Sequence, residues 1–160
     1  MSRPKFALVT GCGQGGIGEA LVKQYRNHGV HAIATILPSE ASDHLTQAGI
    51  SWFYLDVTSD DSVAGLEESV ANLTGGFLDI LVNNAGIAYT MPAIDTDVGE
   101  VSHMFDVNVF GPMRMVRHFH GCLIKTQGTV MNIGSVGGIV PYVYRYKFKT
   151  RVGVFVTSYN

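Results

Sequence analysis

The stretch Thr10-Gly11-Cys12-Gly13-Gln14-Gly15-Gly16-Ile17-Gly18 constrains this chain more than any other. Ahead of it stands the apolar run Phe6-Ala7-Leu8-Val9, and behind it Glu19-Ala20-Leu21-Val22-Lys23-Gln24-Tyr25, so the segment reads as strand, glycine-rich loop and helix. Glycine lets a backbone take positive φ and approach a ligand closely. The first turn of the following helix offers unpaired N–H groups to an anion, so such a loop suits phosphate. A P-loop is excluded, because Gly16 is followed by Ile17 and Gly18 instead of Lys and Ser or Thr. The generic pattern G-x-G-x-x-G fits Gly11, Gly13 and Gly16. It also calls for an acidic residue roughly 20 positions on, at the end of the second strand. Thr35, Ile36 and Leu37 stand there, so that match is half made.

The alternation continues along the chain. A helix ends near His28-Gly29, strands are predicted over 30–36 and 50–55, and a short helix opens at Pro38 and closes at Gly49. Ser59 or Asp60 can cap a helix carrying Val63, Leu66, Val70 and Leu73, which Gly75-Gly76 stops. A fourth strand covers 77–82. A long helical segment spans 98–125, with its bend expected at Gly111-Pro112, and a fifth strand covers 129–133. Strands alternating with helices predict an α/β fold with a doubly wound parallel sheet, whose ligands bind at the carboxyl ends of the strands. Asp56, Asn83-Asn84-Ala85-Gly86 and Ser135 all fall at such ends.

Composition agrees with a packed domain: of 160 residues, 46% are hydrophobic and only 15% charged. A net charge of −2 gives no electrostatic case for nucleic acid or an anionic membrane. Cys12 and Cys122 lack companions at metal-ligand spacing, so reduced structural thiols and no metal are expected. Met1 to Lys5 lead straight into the first strand without a signal-peptide pattern, which predicts a cytoplasmic location.

Five ordered motifs carry a family resemblance. Thr10-Gly11 followed by Gly16-Ile17-Gly18, Leu55-Asp56-Val57-Thr58, Asn83-Asn84-Ala85-Gly86, and Asn108 and Ser135 in Val107-Asn108-Val109-Phe110-Gly111 and Asn132-Ile133-Gly134-Ser135 together resemble the short-chain dehydrogenase/reductase family. The spacer from Cys12 to Gly15 is one residue longer than that family's usual three. Taken singly, Asp56 reads as a turn cap, Asn83-Asn84 as turn chemistry, Asn108 as a surface residue and Ser135 as a turn residue. The resemblance implies a Rossmann-type NAD(P)-binding domain over 1–144. In it Gly11, Cys12, Gly16, Ile17 and Gly18 would hold the pyrophosphate side, Asp56 and Val57 the adenine, and Asn83, Ala85 and Gly86 the ribose region. Asn108 and Ser135 would be catalytic.

Within the family the chain is similar to the fungal 1-acyldihydroxyacetone-phosphate reductase group, through Ala32-Ile33-Ala34-Thr35, Gly134-Ser135-Val136-Gly137-Gly138 and Pro141-Tyr142-Val143-Tyr144. This implies reduction of a carbonyl on a small, lipid-derived substrate with NADP in preference to NAD. It also implies homo-oligomers as often found in the family, and a place at the endoplasmic reticulum or lipid droplets. Leu37 stands where that group commonly has a basic residue for the 2′-phosphate.

The family's chemistry uses a Tyr followed four residues later by Lys, and no Tyr here has one. An unassisted Tyr, with pKa about 10, is a poor proton donor near neutrality, so this departure predicts very weak turnover. From Arg145 four basic residues fall within seven positions, and 145–160 reads as an aberrant or divergent tail. The expectation is a Rossmann-type sheet truncated after the fifth strand, leaving that strand as an aggregation-prone edge unless the tail pairs with it. The alternatives are a non-catalytic NADP(H)-binding or regulatory module, or a fragment without function.

Overall fold

In a computed structural model of the chain, which describes residues 3–135 and 155–158, strands and helices alternate as their apolar patterns require. β1 (Phe6–Val9), α1 (Ile17–Asn27), β2 (His31–Ile36), α2 (Asp43–Gln47), β3 (Ser51–Tyr54), α3 (Asp60–Thr74) and β4 (Ile80–Asn83) follow in order. A 3-10 turn (Ala93–Asp95), α4 (Val98–Phe105), a π-helical turn (Asp106–Phe110), α5 (Gly111–Ile124), β5 (Thr129–Asn132) and β6 (Phe155–Ser158) complete it. The sheet order is β3-β2-β1-β4-β5-β6, and its first five strands run parallel. Sequence order reverses between β1 and β4, so the loops after those strands border the crevice where such sheets take ligands.

Each sheet face is buried, because adjacent residues of a strand point to opposite sides. Leu8 and Leu81 join Val63, Leu66, Val70, Met115, Phe119 and Leu123 on one face; Val9 and Val82 join Val22, Ala34, Ile36 and Leu45 on the other. α3 starts where Ser59 caps it, its hydroxyl accepting from Ser62 N, and stops at Gly75, whose φ of 69° suits glycine.

Two expectations change, and a third that was left open is decided. The helical break lies at Asp106–Phe110, ahead of Gly111-Pro112, which instead begin α5. Proline suits a first helical turn, where its missing N–H is not needed. Gly111 packs against Val57, whose Cγ2 would be 2.9 Å from an added Cβ. Pro38 opens a turn rather than a helix, and α2 waits until Asp43. The tail pairing left open for β5 is made: β6 pairs with it antiparallel, Thr129 opposite Ser158 and Asn132 opposite Phe155. The region expected to hold a catalytic Tyr, and residues 136–154 generally, lie outside the described residues.

Candidate functional site

The glycine loop closes by contact with the end of β4. Gly11 adopts φ 69°, and a Cβ there would stand 2.8 Å from Ala85 Cα. One on Gly18 would stand 2.5 Å from Gly11 O and 2.7 Å from Asn84 Nδ2. Only glycine permits this approach. α1 begins after Gly16 with no side-chain cap, so its first-turn N–H groups are available to an anion. Glu19 reaches back to accept from Gly15 N at 2.5 Å and pairs with Lys23 at 2.6 Å. That lysine, more than the loop N–H, holds the Glu19 carboxyl below its ordinary range.

Thr10 and Asn84 lock this closure. The buried Thr10 hydroxyl accepts from Asn84 N at 3.0 Å and Ala85 N at 2.9 Å and donates to Val82 O at 3.4 Å. Asn84 Nδ2 donates to Thr10 O at 2.8 Å and Gly11 O at 2.9 Å. Sequence reading chose Asn83, Ala85 and Gly86 and passed over these two. Their signal was position: a hydroxyl just before the first glycine and an amide inside the second loop. Asn83 turns between the strands instead. It is 4% exposed, its Nδ2 donates to Asn132 Oδ1 at 2.8 Å, and its own Oδ1 is buried without a partner among the described residues.

Cys12 also turns inward. Its thiol donates to Val9 O at 3.3 Å, and burial, aided by the charges of Glu40 and Glu19 against a Thr35 backbone bond, pushes its pKa up to about 12. Only the Cys12 backbone borders the loop; its N donates to Thr35 O at 2.7 Å and its O accepts from His44 Nε2 at 2.9 Å. Val57 is likewise buried, and its carbonyl accepts from Arg114 at 3.2 Å while Arg114 pairs with Asp106 at 2.7 Å. Asp56 stays half-buried at the rim. Its Oδ1 accepts from Thr58 Oγ1 at 2.6 Å and Thr58 N at 2.9 Å. The Thr58 hydroxyl is the main reason its carboxyl lies below the usual range, outweighing burial.

The acid missing from the end of β2 arrives by another route. Leu37-Pro38-Ser39-Glu40 forms a turn in which Glu40 N donates to Leu37 O at 3.0 Å. Leu37 N in return donates to Glu40 Oε2 at 2.7 Å. Glu40 Oε1 is then 2.5 Å from where a Cβ on Gly13 would be. Pro38 at the second turn position was the signal, since it presets the φ that bends the chain back.

Across the cleft, Asn108 sits on the π-helical turn and holds the loop after β4. Its Oδ1 accepts from Ile87 N at 2.9 Å and its Nδ2 donates to Ile87 O at 2.8 Å. A Cβ on Gly86 would lie 3.3 Å from that Oδ1, so Gly86 and Asn108 are brought together. Ser135 is exposed and lies three residues beyond β5, the strand that pairs with β4 through Asn83 and Asn132.

Comparison with known proteins agrees with this architecture. A family profile described as short chain dehydrogenase matches residues 5–148. The chain is 68% identical over 140 residues to a short-chain dehydrogenase, virD, of Hypocrea virens, covering 88% of this chain and 49% of that protein. It is 42% identical over 160 residues to the NADPH-dependent 1-acyldihydroxyacetone phosphate reductase of Schizosaccharomyces pombe, covering all of this chain and 54% of the relative. A crystal structure of a short-chain dehydrogenase from Streptomyces avermitilis superposes with TM-score 0.81 at 30% identity, over 90% of this chain and 54% of that one. An alcohol dehydrogenase from Thermococcus sibiricus, complexed with 5-hydroxy-NADP, gives TM-score 0.76 at 26% identity, over 89% and 63%. The chain spans about half the length of the curated relatives it matches. It belongs to the short-chain dehydrogenase family.

Proposed function

We propose that this short-chain dehydrogenase family member uses the cleft between β1 and β4 to hold a nicotinamide dinucleotide, and that the family reaction it serves is reduction of a carbonyl to an alcohol. The observation carrying this is the mutual approach of Gly11, Gly18, Asn84 and Ala85, a cradle that any Cβ on the two glycines would fill. The uncapped start of α1 suits the pyrophosphate, and Asp56 at the rim suits an adenine amine. When bound, the cofactor supplies the hydride. Asn108 keeps the loop carrying Gly86 against the cleft floor, and Ser135 has the hydroxyl to orient a carbonyl oxygen. The S. pombe relative's description favours a lipid-derived ketone and NADPH; the acidic rim at Glu40 favours NADH instead.

Because no Tyr is followed four residues later by Lys, this 160-residue chain binds cofactor and turns it over very weakly. Isothermal titration with NADH and NADPH, followed by a 340 nm assay with acylated ketones, tests this. Binding of either dinucleotide with little oxidation is the expected result. A folded chain that binds neither would sink the cofactor reading; rapid ketone-dependent oxidation would sink the claim of weak turnover.

A further inference from the structure

We infer that Glu40 is the ribose-selecting carboxylate of this cleft and makes it favour NAD(H) over NADP(H). The inference rests on the dinucleotide reading above and adds the form of the cofactor. In doubly wound sheets, an acid at the end of the second strand accepts from the adenosine ribose hydroxyls, whereas a 2′-phosphate there needs a nearby cation. β2 itself ends in Thr35-Ile36, followed by Leu37, with no acid among them. The turn through Pro38 returns Glu40 to the strand end, where Leu37 N anchors Oε2 at 2.7 Å. That anchor leaves Oε1 lying over Gly13, in the glycine loop, 2.5 Å from where a Cβ would be. Gly13 is therefore needed for the carboxylate to sit there at all. Glu40 is only half-buried, so Oε1 can accept from hydroxyls arriving from the cleft.

Among the described residues, the surroundings offer no cation to offset a phosphate. The sequence contains no Lys or Arg between Arg26 and Arg114, a span that includes all of β2, α2, β3 and β4. Lys23 is engaged with Glu19 at 2.6 Å, and Arg114 with Asp106 at 2.7 Å and Val57 O at 3.2 Å. His44 Nε2 is committed to Cys12 O at 2.9 Å. Among the described residues around the Glu40 carboxylate, a 2′-phosphate would meet a like charge and no guanidinium or ammonium that lacks a carboxylate partner, and like charges at such range discriminate strongly. Ribose hydroxyls are donors, which a carboxylate accepts.

The test is titration of the full chain, and of E40Q, with NADH and NADPH by calorimetry, with circular dichroism to confirm folding. Expected is NADH binding at least about tenfold tighter than NADPH in the unmodified chain, shrinking severalfold in E40Q. E40Q keeps an oxygen for Leu37 N. Equal binding, or tighter NADPH binding, by the unmodified chain overturns the inference while leaving the dinucleotide site standing, and this arm needs no variant to fold. An unchanged preference in folded E40Q also overturns the role of Glu40. Failure to bind either dinucleotide overturns both the site and the inference.

Discussion

Asn108 and Ile87 meet as two strand residues would: the amide oxygen accepts from Ile87 N at 2.9 Å and the amide nitrogen donates to Ile87 O at 2.8 Å. One side chain thus serves both backbone groups of a residue 21 positions away and joins the π-helical turn to the loop after β4. π-helical turns recur at functional sites, and this one holds the loop that follows β4. Asn108→Ala removes both bonds and should cost about 1–2 kcal/mol, given that exposed hydrogen bonds contribute roughly 0.5–1.5 kcal/mol each. Urea unfolding measures it. A variant as stable as the parent would mean that this side chain does not hold the loop.

Thr10 gives a sharper contrast. Thr10→Val keeps the shape but strands the N–H groups of Asn84 and Ala85, so a loss of about 2–4 kcal/mol is expected. Thr10→Ser retains the oxygen and should stay within about 1–1.5 kcal/mol of the parent. Equal thermal shifts for the two would argue that the methyl group, not the hydroxyl, matters.

The glycines should divide by surroundings. Gly18→Ala drives a Cβ against Gly11 O and Asn84 and is expected to cost about 1–3 kcal/mol while weakening dinucleotide binding. Gly15 has φ 75° but open space, so Gly15→Ala should cost only the left-handed penalty of about 1–2 kcal/mol. Paired denaturation and titration would show whether the binding loss belongs to Gly18 alone.

Asp79 sets an acid limit. Burial raises its pKa, but the Arg3 guanidinium and Phe6 N–H, bonded at 2.6–2.9 Å, outweigh burial and hold the carboxyl below its ordinary value. A depressed folded pKa means stability that is complete above the unfolded value of about 3.9 and is lost as pH falls through the lower folded one. Asp79→Asn should therefore lower stability by about 1–2 kcal/mol at pH 7, discounted for the exposed Arg3, and flatten the acid limb below about pH 4. Melting curves between pH 2.5 and 7 would reveal it; parallel limbs for parent and variant would contradict the assignment.

Glu40 lies over Gly13 from a position that strand spacing does not reach. An acid was sought at the last positions of β2, where Thr35, Ile36 and Leu37 stand, because spacing counts residues along an extended strand. Pro38 turned the chain back and delivered the carboxylate from three residues beyond. The side chains of Cys12 and Val57 face the core, so each can border the cleft only through its backbone. Of the two adjacent asparagines, Asn84 closes the glycine loop and Asn83 pairs with Asn132.

The sequence by itself determined the alternation of strands and helices, the glycine-rich entry to α1, the cap at Ser59, the stop at Gly75 and the placing of polar clusters at strand ends. These depend on short-range periodicity, on glycine's permitted φ and on local hydrogen bonds, all written within a few residues. Only the tertiary structure decided that Gly11 would meet Ala85, that Thr10 would satisfy two N–H groups some 74 positions on, that β6 would cover β5, and that Glu40 would lie over Gly13. Those contacts join residues whose separation along the chain carries no trace of their nearness, because parallel pairing of β1 with β4 is what brings the two loops within hydrogen-bond reach.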